Sequence, residues 1–344
     1  MKQILTSLLL LLPIPASAQH WATVDACRIE NPRIIESAFG PDGNFIRSIA
    51  AQEINGTGRL WKITTENGVQ SHLWGTYHSN DPTILDLPPK FRKAISQAKV
   101  VATEYNPIPK SRRIIELQYS DERLWRPLRS GHKFSLPDKE VESWVRTRAT
   151  ALGYGKRALD NLTDLGIAEA LLGDPCNDFL SGVFPIQDDR ILLLGADAGA
   201  KIVGLEPYDS FRSTLSRIDY ADVTRAMIEV YGAYLNPKDV LEGRSTSYAL
   251  YLQGQIGVMR AWDTAYITRI YGDPRGAELL SLVDGYLVAE RNQTFLQTAL
   301  PLIEDGGAVL AVGSFHLPGS DGMVELIRAA GHTVERVVTT GEIP

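Results

Sequence analysis

A strand-like apolar run twice stops at a glycine and presents a histidine three residues later. The first is "LWGTYHSN" (73–80), with Gly75 and His78. The second is "LAVGSFHLPG" (310–319), with Gly313 and His316. The surroundings repeat along with the motif. After the first, "LPPKFRKAISQAK" (87–99) has Pro88 and Pro89 where a helix begins and Phe91, Ile95 and Ala98 on one face. "VVATEYN" (100–106) follows as a buried-type strand ending in Glu104. After the second, "GMVELIRAAG" (322–331) has helical spacing and a glycine stop, and "HTVERVV" (332–338) reads as a strand. Strand, loop, helix and strand at both ends predict an α/β fold. Its central sheet, parallel or mixed, would be built from two βαβ-like units.

The remaining chain fits around that frame. "RLWKITT" (59–65), Asn67-Gly68 and "VQSHLWGTYH" (69–78) predict a β-hairpin with a two-residue turn. Residues from about 112 to 300 read as a large, mostly helical insertion. One exception is "AKIVGLEPYD" (200–209), a short strand ending at Glu206. "QDDRILLLGADAGA" (187–200), just before it, reads as a helix packed on the sheet. "ELLSLVDGYLVAERNQTFLQTALPLIEDG" (278–306) reads as one amphipathic helix. No low-complexity linker divides the chain, so residues 19–344 are expected to form a single domain.

The first 18 residues are expected to be a signal peptide. Lys2 precedes an apolar stretch from Ile4 to Leu12, and Ala16-Ser17-Ala18 is a small-x-small cleavage site. The mature protein is then secreted or periplasmic, with no transmembrane helix. Cys27 and Cys176, the two cysteines, can close one disulfide in an oxidising compartment; two buried thiols are the alternative. A net charge of −6 gives no basic footprint for nucleic acid.

Loops at the carboxyl edge of a parallel sheet converge, and ligand sites gather there. His78 and His316 can therefore meet, with Glu104 and Glu206 at neighbouring strand ends. Two imidazoles and one or two carboxylates make either a divalent-metal site or a metal-free acid–base site. His20 in a tail, His72 in the strand before the first motif, His132 in an exposed loop and His332 after a helix-ending glycine lack this context and are not expected to be ligands. There is no Gly-x-Gly-x-x-Gly, no P-loop, no Gly-x-Ser-x-Gly elbow and no HExxH.

"LWGTYHSND" with "LPPKFRKAISQAKVVATEYN", and "AVGSFHLPGSDGMVELIRAAGHTVERV", resemble the paired signatures of the TraB/GumN family. "DDRILLLGADAGAKIVGLEPYDSF" and "ERNQTF" resemble its middle segments. The family is grouped with the Tiki proteins, which act as metal-dependent proteases. The resemblance implies functional roles for Gly75, His78, Glu104, Glu206, Arg291, Asn292, Gly313 and His316. On this basis His78, His316 and Glu104 are expected to hold a divalent ion and lower the pKa of a bound water to about 7. Manganese or cobalt is suggested by the Tiki resemblance, and zinc suits the donors equally. Glu206 would act as general base or orient a histidine, and Arg291 would stabilise an oxyanion. The expected function is an exported metal-dependent hydrolase, peptidase-like, acting on a peptide or small molecule. The alternative is a non-enzymatic exported protein that binds a metal ion, haem or a peptide at the same site.

Overall fold

The computed structural model describes residues 27–105, 120–127, 130–152, 157–176, 185–238 and 240–344. The expected signal peptide lies outside the described residues.

Six strands form one mixed sheet: β1 (Leu60–Thr64), β2 (Gln70–Thr76), β3 (Val100–Tyr105), β4 (Lys201–Glu206), β5 (Ala308–Gly313) and β6 (Thr333–Arg336), in the order β4-β3-β5-β2-β1-β6. The longer helices are α1 (Pro89–Ser96), α2 (Lys139–Ala151), α3 (Asp164–Leu172), α4 (Gln187–Asp197), α5 (Ala221–Ala233), α6 (Val240–Leu252), α7 (Ile256–Tyr271), α8 (Arg275–Asp284), α9 (Arg291–Asp305) and α10 (Met323–Ala329). No helix among the described residues is long and apolar enough to cross a membrane.

The sheet exists because its central strands are apolar on both faces. Along β5, Leu310 and Val312 pack with Leu73, Phe295, Val324 and Ile327 on the face covered by α9 and α10. Val309 and Ala311 point the other way, onto Trp74, Phe91, Val101 and Ile191 beneath α1 and α4. This period-two alternation between two buried faces marks a strand sandwiched by helices. A separate helical core, including Val145, Ile167, Met227, Ile228, Ile267 and Leu279, joins α2, α3, α5, α7 and α8.

The order of strands brings the two ends of the chain together. β5 inserts between β2 and β3 and runs parallel to both. β6 closes the far edge antiparallel to β1, which is also antiparallel to β2. The sheet is therefore mixed, with β1 running against its neighbours. β4, from the middle of the chain, pairs in parallel with β3 and forms the opposite edge. Cys27 and Cys176 are joined in a disulfide, with their Cα atoms 5.3 Å apart.

Two local details differ from the sequence reading. The hairpin turn is longer than two residues: Thr65 N–H donates to Val69 O, Gly68 N–H to Thr65 O, and Gly68 takes φ +79°. That is a tight turn completed by a left-handed glycine, which suits the twist of the flanking strands. The long helix over 278–306 is not uniform either. Between α8 and α9 the segment Gly285–Glu290 is π-helical, which shifts the facing of everything after it.

Candidate active site

Strand register sets the site. Gly75 pairs with Val312 and Thr76 with Gly313, so the two Gly-x-x-His loops leave the sheet side by side at its carboxyl edge. Close packing requires the first glycine: a Cβ at Gly75 would lie 2.6 Å from Leu317 Cδ1 and 3.0 Å from Ser314 Cα of the other loop. The first loop is clamped from above by Gln187, the first residue of α4. Its Oε1 accepts from Tyr77 N–H, Trp74 Nε1–H and Tyr251 OH, and its Nε2 donates to Ile84 O.

Each imidazole is aimed by a different partner. His78 Nδ1 is 2.9 Å from Asp188 Oδ2, and Asp188 Oδ1 accepts from Thr76 Oγ1 at 2.8 Å. A carboxylate only accepts, so Nδ1 carries the proton that is shared there. His316 Nδ1 is 2.7 Å from Asn292 Oδ1. Asn292 Nδ2 donates to two backbone carbonyls, His316 O at 3.3 Å and Asp321 O at 2.7 Å. Carbonyls cannot donate, so the network assigns the amide orientation and makes His316 Nδ1 the donor. In the neutral form of either ring the lone pair is then on Nε2.

Both Nε2 atoms face the same oxygen. Glu104 Oε1 is 3.9 Å from His78 Nε2 and 3.7 Å from His316 Nε2, too far for a hydrogen bond. Oε1 accepts from Gly313 N–H at 2.7 Å, and Oε2 accepts from Arg291 Nη2 at 2.7 Å. Burial raises the Glu104 pKa, but Arg291, the two histidines and the Gly313 N–H outweigh it, so the net shift is well below the ordinary carboxylate value. The second motif glycine leaves the space between these groups. A Cβ at Gly313 would sit 3.1 Å from Glu104 Oε1, 3.3 Å from His78 Nε2 and 3.5 Å from His316 Cδ2.

The surroundings push the two rings in opposite directions. The adjacent Asp188 charge pushes the His78 pKa up to about 9 against the opposing effect of burial. Burial lowers that of His316 to about 4, with Glu104 opposing. An anionic oxygen facing two imidazole nitrogens is a place for a cation, either a proton or a metal ion. Among the described residues no three His, Cys, Asp or Glu side chains already converge at ligand distance. Around a tetrahedral ion with ligands at about 2.1 Å, donors lie about 3.4 Å apart. The two Nε2–Oε1 separations are wider than this by about half an ångström or less.

Glu206 is held by Arg291 and Ser210. Its Oε1 accepts from Arg291 Nε at 3.0 Å and also from Nη2, and its Oε2 accepts from Ser210 Oγ at 2.8 Å. It bonds no histidine; Asp188 and Asn292 orient the rings instead. Arg291 bridges both carboxylates, with Nη2 shared between them. Asp188, Thr76 and Gln187 belong to no motif that marks them as functional in the sequence. Their only signal there is "QDD" opening a helix expected to lie on the sheet.

A model of the TraB/PrgY/gumN family matches residues 59–336, most of the chain, and the chain belongs to that family. No curated protein and no solved structure matches the chain significantly.

Proposed function

We propose that this member of the TraB/PrgY/gumN family is an exported metal-dependent hydrolase, peptidase-like, with His78, His316 and Glu104 as its metal donors. One observation carries the reading: separate acceptors hold both Nδ1 atoms, so both Nε2 atoms face one carboxylate oxygen. Metal-ligating histidines are typically held in this way, with the outer nitrogen donating to a carboxylate or amide oxygen. The Cys27–Cys176 disulfide supports export, since such bonds persist in oxidising compartments.

His78, His316 and Glu104 would hold a divalent ion, which when bound would polarise a carbonyl and provide a nucleophile at neutral pH. The chain's own residues do the rest. Asp188 and Asn292 fix the two ring tautomers. Arg291 keeps Glu104 anionic and holds it against Glu206. Gly313 leaves room beside the donors for the reacting atoms. Glu206 and Asn292 are positioning residues, acting through Arg291 and His316.

The test is metal content and turnover together. Wild type should retain manganese, cobalt or zinc, and His78→Ala/His316→Ala should not. Wild type with added metal should cleave members of a peptide library, read by mass spectrometry, and folded Glu104→Gln should not. Negligible metal in both proteins, with no products under any metal, would sink the reading. Stoichiometric peptide binding without products would instead favour a binding protein.

A further inference from the structure

Next to the histidine cluster lies a cleft of about 460 Å³. One wall is the loop that follows the second motif, Pro318–Asp321. The opposite wall is Arg260 on α7, Ser281 and Asp284 on α8, and the π-helical turn through Val288 and Ala289. The cleft and the cluster share parts. Asn292, which aims His316, donates to the carbonyl of Asp321 at 2.7 Å. The π turn leads directly into Arg291 and Asn292. Arg260 Nη1 donates to Pro318 O at 3.3 Å, two residues after His316.

The charges in the cleft do not cancel. Arg260 is occupied by Glu53 at 2.6 Å, and Gly319 N–H is fastened to Ile54 O at 2.8 Å, which pins the loop. Asp284 and the exposed Asp321 remain on the cleft lining. Asp284 is part-buried, and among the described residues no hydrogen bond or ion pair reaches its carboxylate, Arg260 acting on it only from beyond contact distance. Burial raises its pKa and Arg260 opposes this only in part, while Asp284 in turn raises the pKa of Asp263 on α7, so desolvation costs this carboxylate more than the one cation returns. A cation seated there would supply that charge. An acidic side chain would be repelled, and an apolar one would leave Asp284 uncompensated.

We propose that this cleft is the subsite that receives a positively charged group of the substrate, a lysine or arginine side chain or an amino terminus, beside the His78–Glu104–His316 cluster. The inference rests on the hydrolase reading for its catalytic consequence but not for its binding consequence. A substrate chain crossing the Gly-x-x-His loops would place a residue near the bond to be broken into the cleft. The subsite therefore sets preference for substrate, and the cluster sets chemistry.

The experiment uses the full chain and peptide pairs that differ only by lysine against norleucine at one position, scanned along the peptide. At the matching position the lysine peptide should have kcat/KM about tenfold higher, a ratio worth about 1.4 kcal/mol. Asp284→Asn should bring that ratio close to one, with folding checked by thermal unfolding. Ser281→Lys, at an exposed position on the same wall, should do so by a different route, by supplying the cation internally. The same peptides are also titrated by fluorescence polarisation without added metal. Preferential binding of the lysine peptide, weakened by salt and lost in both variants, supports the subsite even if nothing is cleaved. Equal cleavage or equal binding of lysine and norleucine peptides at every position overturns it and leaves the hydrolase reading standing.

Discussion

The two Gly-x-x-His loops have the same spacing and opposite surroundings. His78 is 57% exposed and leans on a carboxylate; His316 is 7% exposed and leans on a neutral amide. One ring is driven toward the imidazolium and the other toward neutral imidazole. The glycines divide in the same way: Gly75 makes room for the neighbouring loop, and Gly313 makes room for the site. A repeated motif has thus given two different surroundings around one shared carboxylate. Spacing delivers the ring to the sheet edge, and its partner decides what the ring can do there.

The largest effect is expected where the halves depend on a common part. Arg291 is 13% exposed, and it neutralises Glu104 and Glu206, 9% and 6% exposed. Arg291→Ala leaves two buried carboxylates without their cation, which should cost about 3–5 kcal/mol in urea unfolding. Arg291→Lys keeps the charge but not the shared geometry and should recover only part of the loss. A loss in Arg291→Ala below about 1 kcal/mol would mean that the carboxylates do not rely on Arg291, and that Glu104 joins the halves by some other means.

The glycine pair should separate stability from function. In Gly75→Ala the new methyl meets backbone at Ser314 as well as Leu317, and overpacking of this kind costs about 1–3 kcal/mol. Gly313 has φ −50° and ψ 138°, which any residue adopts, so Gly313→Ala should cost less than about 1 kcal/mol. Its methyl would nevertheless point at Glu104 Oε1 and His78 Nε2. Metal titration should therefore show weaker binding in Gly313→Ala, despite near-native unfolding. Wild-type metal affinity in that variant would show that the space beside Gly313 is not where the ion sits.

Much of this arrangement was legible in the sequence because it is local. The alternation along residues 308–313, the prolines opening α1 and the strand ends at Glu104 and Glu206 all depend on near neighbours. The pairing of the motifs was legible because the same local pattern occurs twice. What was not legible depends on distant partners. Asp188 reaches His78 across 110 positions, and nothing near either residue announces it. The place of β5 between β2 and β3 is a choice among pairings that hydrophobic pattern leaves open. The π turn before Arg291 interrupts an apolar period that reads as one continuous helix. Glu206 was expected among the histidines because it ends a strand, but β4 is the sheet edge, and there the nearest cation is Arg291.

The smallest effect tests the contrast between the rings directly, in chelator-treated protein. The His78 pKa is raised from 6.5 to about 9, so its contribution to stability is fully present below pH 6.5 and lost as pH rises through about 9. The His316 pKa is lowered to about 4, so its contribution is fully present above pH 6.5 and lost as pH falls through about 4. The two limbs have different owners, and Asp188→Asn should remove only the alkaline one. The His78 ring is more than half exposed, so water screens the Asp188 charge and the change should stay below about 1 kcal/mol. NMR titration of the two imidazoles, together with melting curves at pH 4, 6.5 and 9, measures both limbs. If Asp188→Asn leaves the His78 titration where it was, or shifts His316 as much as His78, the rings are not set independently. The contrast between the two loops would then reduce to burial alone.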